Sequence, residues 1–220
     1  MVFIFRITVK RILIFANGEL PNLEKARTLI RADDFILCAD GGARHALALG
    51  LTPDLVIGDM DSVTTNEFQQ LKKSGVAIEL FPRDKNETDL ELALQYALEK
   101  NSEAILIIAA LGGRLDQTLG NLSLLSNIQL STLNLKLDDG LEEVSFCRAR
   151  SEVRGRSGDL VSLIAWHEKV EGVQTQNLKW PLQNETLYPE KTRGISNEMT
   201  GNSASISISS GLLLVIHRRQ

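Results

Sequence analysis

Five short apolar runs recur across the first 127 residues, at 11–16, 34–39, 54–58, 76–81 and 104–111. Each is rich in β-branched residues and almost unbroken by charge, the pattern of a strand buried on both faces. The segments between them read as helices. Asn22 stands as a cap before Leu23, Ala26, Arg27 and Ile30. Thr64 and Glu67 form a capping-box pattern before Phe68 and Leu71, and Gly75 ends that segment. Thr88 and Glu91 repeat the pattern, followed by Leu90, Ala93, Leu94, Ala97 and Leu98 at helical spacing. Strands alternating with helices imply an α/β domain with a mostly parallel, Rossmann-like sheet.

After about residue 135 the texture changes. Residues 160–166 form a strand-like run, 203–209 alternate Ser and Ile with a period of two, and 211–217 are again apolar, with turn formers between. That pattern suits an antiparallel sheet or sandwich. The stretch 133–139, ending in Asp138-Asp139-Gly140, reads as the junction. The expected domains are therefore 1–135, an α/β domain, and 136–220, an all-β domain. A chain of 220 residues accommodates both.

The net charge is −4 and the basic residues are scattered, so the chain carries no electrostatic footprint for nucleic acid or an anionic membrane. Cys38 and Cys147 lie far apart and His45, His167 and His217 are dispersed, which argues against a disulfide framework or a zinc cluster. The run 104–111 is far shorter than the roughly 20 apolar residues that span a bilayer. Basic residues interrupt the apolar N-terminal stretch, making it a poor signal peptide, so the expected location is cytoplasmic, with reduced cysteines and Cys38 in the core.

In an open parallel sheet, ligands bind beyond the carboxyl ends of the strands. The residues just after each apolar run are therefore informative. The successive loops are Asn17-Gly18; Asp40-Gly41-Gly42; Gly58-Asp59-Met60-Asp61-Ser62; the segment from Arg83 through Lys85 and Thr88 to Asp89; and Gly112-Gly113-Arg114-Leu115-Asp116. Taken singly, each has an ordinary explanation: a turn dipeptide, solvated acids, a helix-dipole partner or a surface Arg. Taken together they describe a site for a polyphosphate. Asp59 and Asp61, two apart in extended chain, would point the same way and hold a hard cation such as Mg²⁺ through oxygen. Glycine amides admit phosphate closely, and Arg114 adds planar charged donors. Neither the Walker A sequence nor Gly-x-Gly-x-x-Gly is present.

This series of motifs resembles the thiamine pyrophosphokinase family, and the similarity continues through Asn177-Leu178-Lys179-Trp180-Pro181-Leu182 and Gly194-Ile195-Ser196-Asn197-Glu198. It covers nearly the whole chain from about residue 11. The resemblance implies transfer of the pyrophosphoryl group of ATP to the hydroxyl of thiamine, giving thiamine diphosphate and AMP. It also implies a C-terminal β-sandwich that binds thiamine and a homodimer. Asp59, Asp61 and Asp89 are then the expected metal ligands, acting in catalysis with Arg114 and Asp116. Asn17, Gly18, Asp40, Gly41, Gly42, Lys85, Thr88, Gly112 and Gly113 are expected around ATP, and Trp180, Ser196 and Asn197 around thiamine. A Trp face suits an aromatic cation, although Trp is more often a core residue.

Three positions depart from the family pattern. Gln117 stands where many relatives have His, Asn86 where an acid is frequent, and the first ten residues look like an addition, either an extra edge strand or a disordered segment. Asp-x-Asp also serves metal-dependent nucleotide-sugar glycosyltransferases, and a non-catalytic nucleotide sensor is the other alternative. An aspartyl-nucleophile phosphatase is weaker, because the accompanying layout is missing.

Overall fold

The computed structural model describes residues 9–220. The reading of the N-terminal segment as an edge strand or a disordered addition falls mainly on residues 1–8, outside the described residues. The chain packs as two compact units, one ending at Asp139 and the other beginning at Gly140.

The first unit contains β1 (Arg11–Phe15), α1 (Leu23–Arg27), β2 (Phe35–Ala39), α2 (Ala43–Ala48), β3 (Leu55–Gly58), α3 (Thr65–Lys73), β4 (Ala77–Leu80), α4 (Asp89–Glu99), β5 (Ala104–Ile108), α5 (Leu115–Leu125) and β6 (Asn134–Asp138). Its strands lie in the order β6-β5-β1-β2-β3-β4 and every pair is parallel. The apolar runs bury both faces: Ile12, Leu13, Ile14 and Phe15 are all fully buried, as are Leu37, Cys38 and Val56. The helix starts follow from their caps. Asn22 Oδ1 accepts from Lys25 N at 2.9 Å, Thr64 and Glu67 close a complete capping box, and Thr88 Oγ1 accepts from Glu91 N at 3.2 Å. Helix α4 turns Leu90, Ala93, Leu94 and Ala97 inward and packs on β2 and β3. Each leucine buried there stabilises the unit by about 1.5–3 kcal/mol.

One expectation changes. The run 76–81 yields β4, which is not buried on both faces: it is an edge strand with Leu80 64% exposed, because strand order places it last. The stretch 133–139, read as the junction, contains β6, paired to β5 with Leu137 fully buried, and the first unit ends at its last residue, Asp139.

The second unit contains β7 (Glu142–Cys147), β8 (Arg150–Arg154), β9 (Leu160–Ala165), β10 (Val170–Gln176), β11 (Glu185–Leu187), β12 (Asn197–Glu198), β13 (Ser203–Ser207) and β14 (Leu213–Arg218). Strands β12-β9-β14-β7 and β11-β10-β13-β8 form two antiparallel sets. Val161, Leu163, Leu213 and Val215 of one set and Val153, Val173, Ala204 and Ile206 of the other belong to one apolar core. The Ser/Ile alternation turns Ile206 inward and Ser205 outward, as the strand period requires. Beside this core, His217 Nε2 lies 3.0 Å from Asp159 Oδ2. Burial pushes the Asp159 carboxyl up, but bonds from Gln220 N, His217 and Arg156 N together outweigh it and hold the group below its ordinary value.

Candidate active site

The carboxyl ends of β1, β2, β3 and β5 and the start of α4 surround a cavity of about 540 Å³. Asp40 follows β2 in a left-handed conformation (φ 45°) and is buried; Asp59 follows β3; Asp89 opens α4. One carboxylate oxygen from each lies within 4.8 Å of the others. Gly58, at φ 148°, makes this approach feasible: a Cβ there would stand 3.0 Å from Asp40 Cβ and 3.1 Å from Asp89 Oδ1.

Asp40 Oδ1 and Asp89 Oδ1 are buried and have no hydrogen-bond partner among the described residues. Lys85 Nζ makes an ion pair with Asp89 Oδ1 at 3.0 Å. Burial raises the Asp89 pKa, Lys85 pulls it down, and the charges of Asp40 and Asp59 push it up again. Three converging acids, with one lysine between them and a buried unpaired oxygen on Asp40, are costly unless a further cation joins them. An all-oxygen donor set of this kind fits Mg²⁺.

Asp61 does not join that group. The extended Asp-x-Asp geometry is interrupted at Met60, whose φ of 61° turns the chain, and Asp61 N donates to Asp59 Oδ1 at 3.1 Å. Asp61 lines the cavity instead, pairs with Arg83 at 3.4 Å and accepts from Ser62 Oγ at 3.1 Å. Asp40 takes the third position in the cluster.

The glycine pairs play different parts. Gly41 and Gly42 are buried and do not line the cavity; their missing Cβ atoms would stand 2.5 Å from Asn17 Oδ1 and 2.0 Å from Phe15 O. Their absence of side chains lets the end of β1 pack against the turn after β2. Gly112 and Gly113 do line the cavity, both left-handed at φ 77° and 70°. Asn17, Gly18 and Thr88 also line it, and Gly18 N donates to Ala109 O at 2.7 Å. Arg114 is on the rim, bound to Asp116 through two contacts of 3.1 and 2.6 Å. The Arg114 bond holds Asp116 below the ordinary carboxylate range, helped by Gln117 N.

Arg83, which opens the loop singled out in the sequence, also lines this cavity; Glu19, Arg44 and Asn121 line it too and were not anticipated. Glu19 stands just past a strand end and was open to the rule applied to its neighbours. Arg44 and Asn121 sit on α2 and α5, where only helical register brings them to the site. The leucines at 115, 119, 122 and 125 were the available signal for α5.

In the second unit, Trp180 is 52% exposed and is not a core residue. Asn197 is buried and binds it from beneath: Trp180 N donates to Asn197 Oδ1 at 3.1 Å, and Asn197 Nδ2 donates to Trp180 O at 2.7 Å. Lys179 Nζ stands 5.0 Å from the indole centroid and 2.8 Å from Glu198 Oε2. Ser196 is left-handed (φ 57°), with its N–H bonded to Ser162 Oγ at 3.0 Å. These residues form one surface constellation.

The family model described as "Thiamin pyrophosphokinase, catalytic domain" matches residues 26–137, and "Thiamin pyrophosphokinase, vitamin B1 binding domain" matches 149–213. Thiamine pyrophosphokinase of Bacillus subtilis is 30% identical over 179 residues, 80% of this chain and 84% of that protein. The chain belongs to the thiamine pyrophosphokinase family. Thiamine pyrophosphokinase 1 of Arabidopsis thaliana is 28% identical, over 82% of this chain and 76% of its own length. The Bacillus subtilis crystal structure superposes with a TM-score of 0.87 at 26% identity, covering 96% of this chain and all of the other. The Geobacillus thermodenitrificans thiamin pyrophosphokinase gives 0.84 at 26% identity, covering 96% and 98%. The catalytic-domain match spans Asp40, Asp59 and Asp89, and the vitamin B1 binding match spans Trp180, Ser196 and Asn197.

Proposed function

We propose that Asp40, Asp59 and Asp89 form the metal and polyphosphate centre of this thiamine pyrophosphokinase family member. The chain is a thiamine diphosphokinase: it transfers the pyrophosphoryl group of ATP to the hydroxyl of thiamine, producing thiamine diphosphate and AMP. The observation that carries the assignment of the centre is the convergence of three carboxylate oxygens within 4.8 Å, with a buried oxygen of Asp40 left without a hydrogen-bond partner among the described residues. Among the described residues no helix is long and apolar enough to cross a membrane. Two free, buried cysteines support a reducing, cytoplasmic setting.

In this reaction the thiamine oxygen attacks the β-phosphorus and the bond to the α/β bridging oxygen breaks, so negative charge gathers on the bridging and nonbridging oxygens. Asp40, Asp59 and Asp89 would hold Mg²⁺, which would supply charge stabilisation there. Lys85 is positioned to add positive charge and holds Asp89 in place. Asp61 and Arg83 form a neighbouring pair, with Asp61 as a further acid for the metal and Arg83 as a donor to phosphate. Asn17, Gly18, Thr88, Gly112 and Gly113 form walls around ATP, and the Arg114–Asp116 pair closes the rim.

Trp180 offers its exposed face to the thiamine cation, a contact worth on the order of 0.5–2 kcal/mol. Asn197 positions it, and Ser196 shapes the adjoining turn. Catalysis by positioning and charge accounts for a site rich in acids and glycines. A homodimer completes this reading. Incubation with ATP, Mg²⁺ and thiamine tests it: AMP and thiamine diphosphate should appear in equal amounts, whereas ADP, or nucleotide turnover independent of thiamine, would overturn it.

A further inference from the structure

We infer that the crevice between the ends of β1 and β5 receives the nucleoside end of ATP, with Glu19 accepting hydrogen bonds from the ribose hydroxyls. This rests on the diphosphokinase reading and goes beyond it by giving the nucleotide a direction in the cavity.

Topology places the crevice. The chain builds β1 to β4 on one side of β1 and then crosses to β5 and β6 on the other, so the direction of winding reverses between β1 and β5. At such a reversal the loops leave the sheet on opposite sides and open a crevice at its carboxyl edge. The local geometry shows where it opens. Ala16 N donates to Ile108 O at 2.9 Å and Gly18 N to Ala109 O at 2.7 Å, so the two chain segments stay joined just beyond the strands. A Cβ on Gly18 would stand 2.5 Å from Ala109 O, so only glycine allows this closeness. Ala109 is then left-handed (φ 59°) and turns the β5 segment aside, and Asn121 Nδ2 holds Ala110 O at 2.9 Å. Glu19 is the first residue past the last joining bond.

Charge gives the direction. The Asp40, Asp59 and Asp89 group lies after β2, β3 and at the start of α4, on one side of β1, and would hold the metal for the polyphosphate end there. Glu19 stands on the β1/β5 side. Its carboxylate lies over the diglycine loop: Oε2 is 3.2 Å from where a Gly112 Cβ would be and Oε1 is 3.6 Å from that of Gly113. An anion in that place disfavours phosphate but accepts hydroxyl donors, and a ribose carries two adjacent ones. A side chain on Gly112 or Gly113 would fill the space that both the acid and a sugar need.

The test compares kcat/KM for ATP, 2′-deoxy-ATP and 3′-deoxy-ATP in the wild type, Glu19→Ala and Glu19→Gln. The wild type should prefer ATP over at least one deoxy nucleotide by about tenfold or more, the effect of losing a hydrogen bond to a charged group. Glu19→Ala should abolish that preference by losing activity on ATP alone, with KM for thiamine unchanged, and Glu19→Gln should retain part of it. An undiminished preference in Glu19→Ala, equal losses on all three nucleotides, a wild type that does not discriminate, or a change confined to thiamine KM would each overturn the inference. Calorimetric binding of AMP and 2′- and 3′-deoxy-AMP gives the same comparison without turnover. It therefore separates failure of this subsite from failure of the diphosphokinase reading.

Discussion

Asn197 and Trp180, 17 residues apart in sequence, exchange two hydrogen bonds through one side-chain amide, so the buried residue fixes the backbone of the exposed one. Asn197→Ala removes both bonds and leaves the Trp180 backbone groups to find other partners. We expect a stability loss of about 1–3 kcal/mol and a rise in thiamine KM of about tenfold, with ATP KM nearly unchanged. Trp180→Ala should raise thiamine KM by a similar factor without the stability loss, and Trp180→Phe should retain most of the affinity. Steady-state kinetics with thermal unfolding distinguishes the positioning residue from the stacking one.

Gly58 is the narrowest point of the acidic centre. Alanine there would press a methyl group against Asp40 Cβ and Asp89 Oδ1 at 3.0 and 3.1 Å, in a backbone conformation that suits glycine. Gly58→Ala should cost about 1–3 kcal/mol in stability and at least about a hundredfold in turnover. Retention of wild-type turnover would show that the spacing of Asp40 and Asp89 is not critical.

The second unit carries a pH-dependent element. Asp159, held below its ordinary pKa by Gln220 N, His217 and Arg156 N against the effect of burial, favours its ionised form in the native state. The stability it contributes is present above its unfolded pKa of about 3.9 and is lost as pH falls through the lower folded value. Asp159→Asn should therefore lower stability by about 1–3 kcal/mol at pH 7 and flatten the loss of stability on acidification. Denaturant titrations between neutral pH and about pH 3 check both effects.

The central strands of the first unit were legible because β1, β2, β3 and β5 are buried on both faces, and hydrophobic runs record that directly. The edge position of β4 was not, since exposure of Leu80 depends on strand order and not on residues 76–81 themselves. Asp40, Asp59 and Asp89 could be singled out because each stands just past a strand or opens a helix at the sheet's carboxyl edge. The turn between Asp59 and Asp61 was not legible: nothing in Asp-Met-Asp announces a left-handed methionine. The motif around Gly41-Gly42 was visible, but its packing against Asn17 and Phe15 emerges only when β1 and β2 are paired. The Trp180–Asn197 contact likewise depends on bringing together two segments separated along the chain.

The three-carboxylate centre is tested most directly by Mn²⁺ binding in place of Mg²⁺, measured by electron paramagnetic resonance on the intact protein. The measurement compares the wild type with Asp40→Asn, Asp59→Asn and Asp89→Asn, each confirmed as folded by circular dichroism. The account predicts that each substitution weakens Mn²⁺ binding by at least about tenfold, the loss of a charged ligand, and lowers diphosphoryl transfer in parallel. Wild-type Mn²⁺ affinity in all three variants would contradict it.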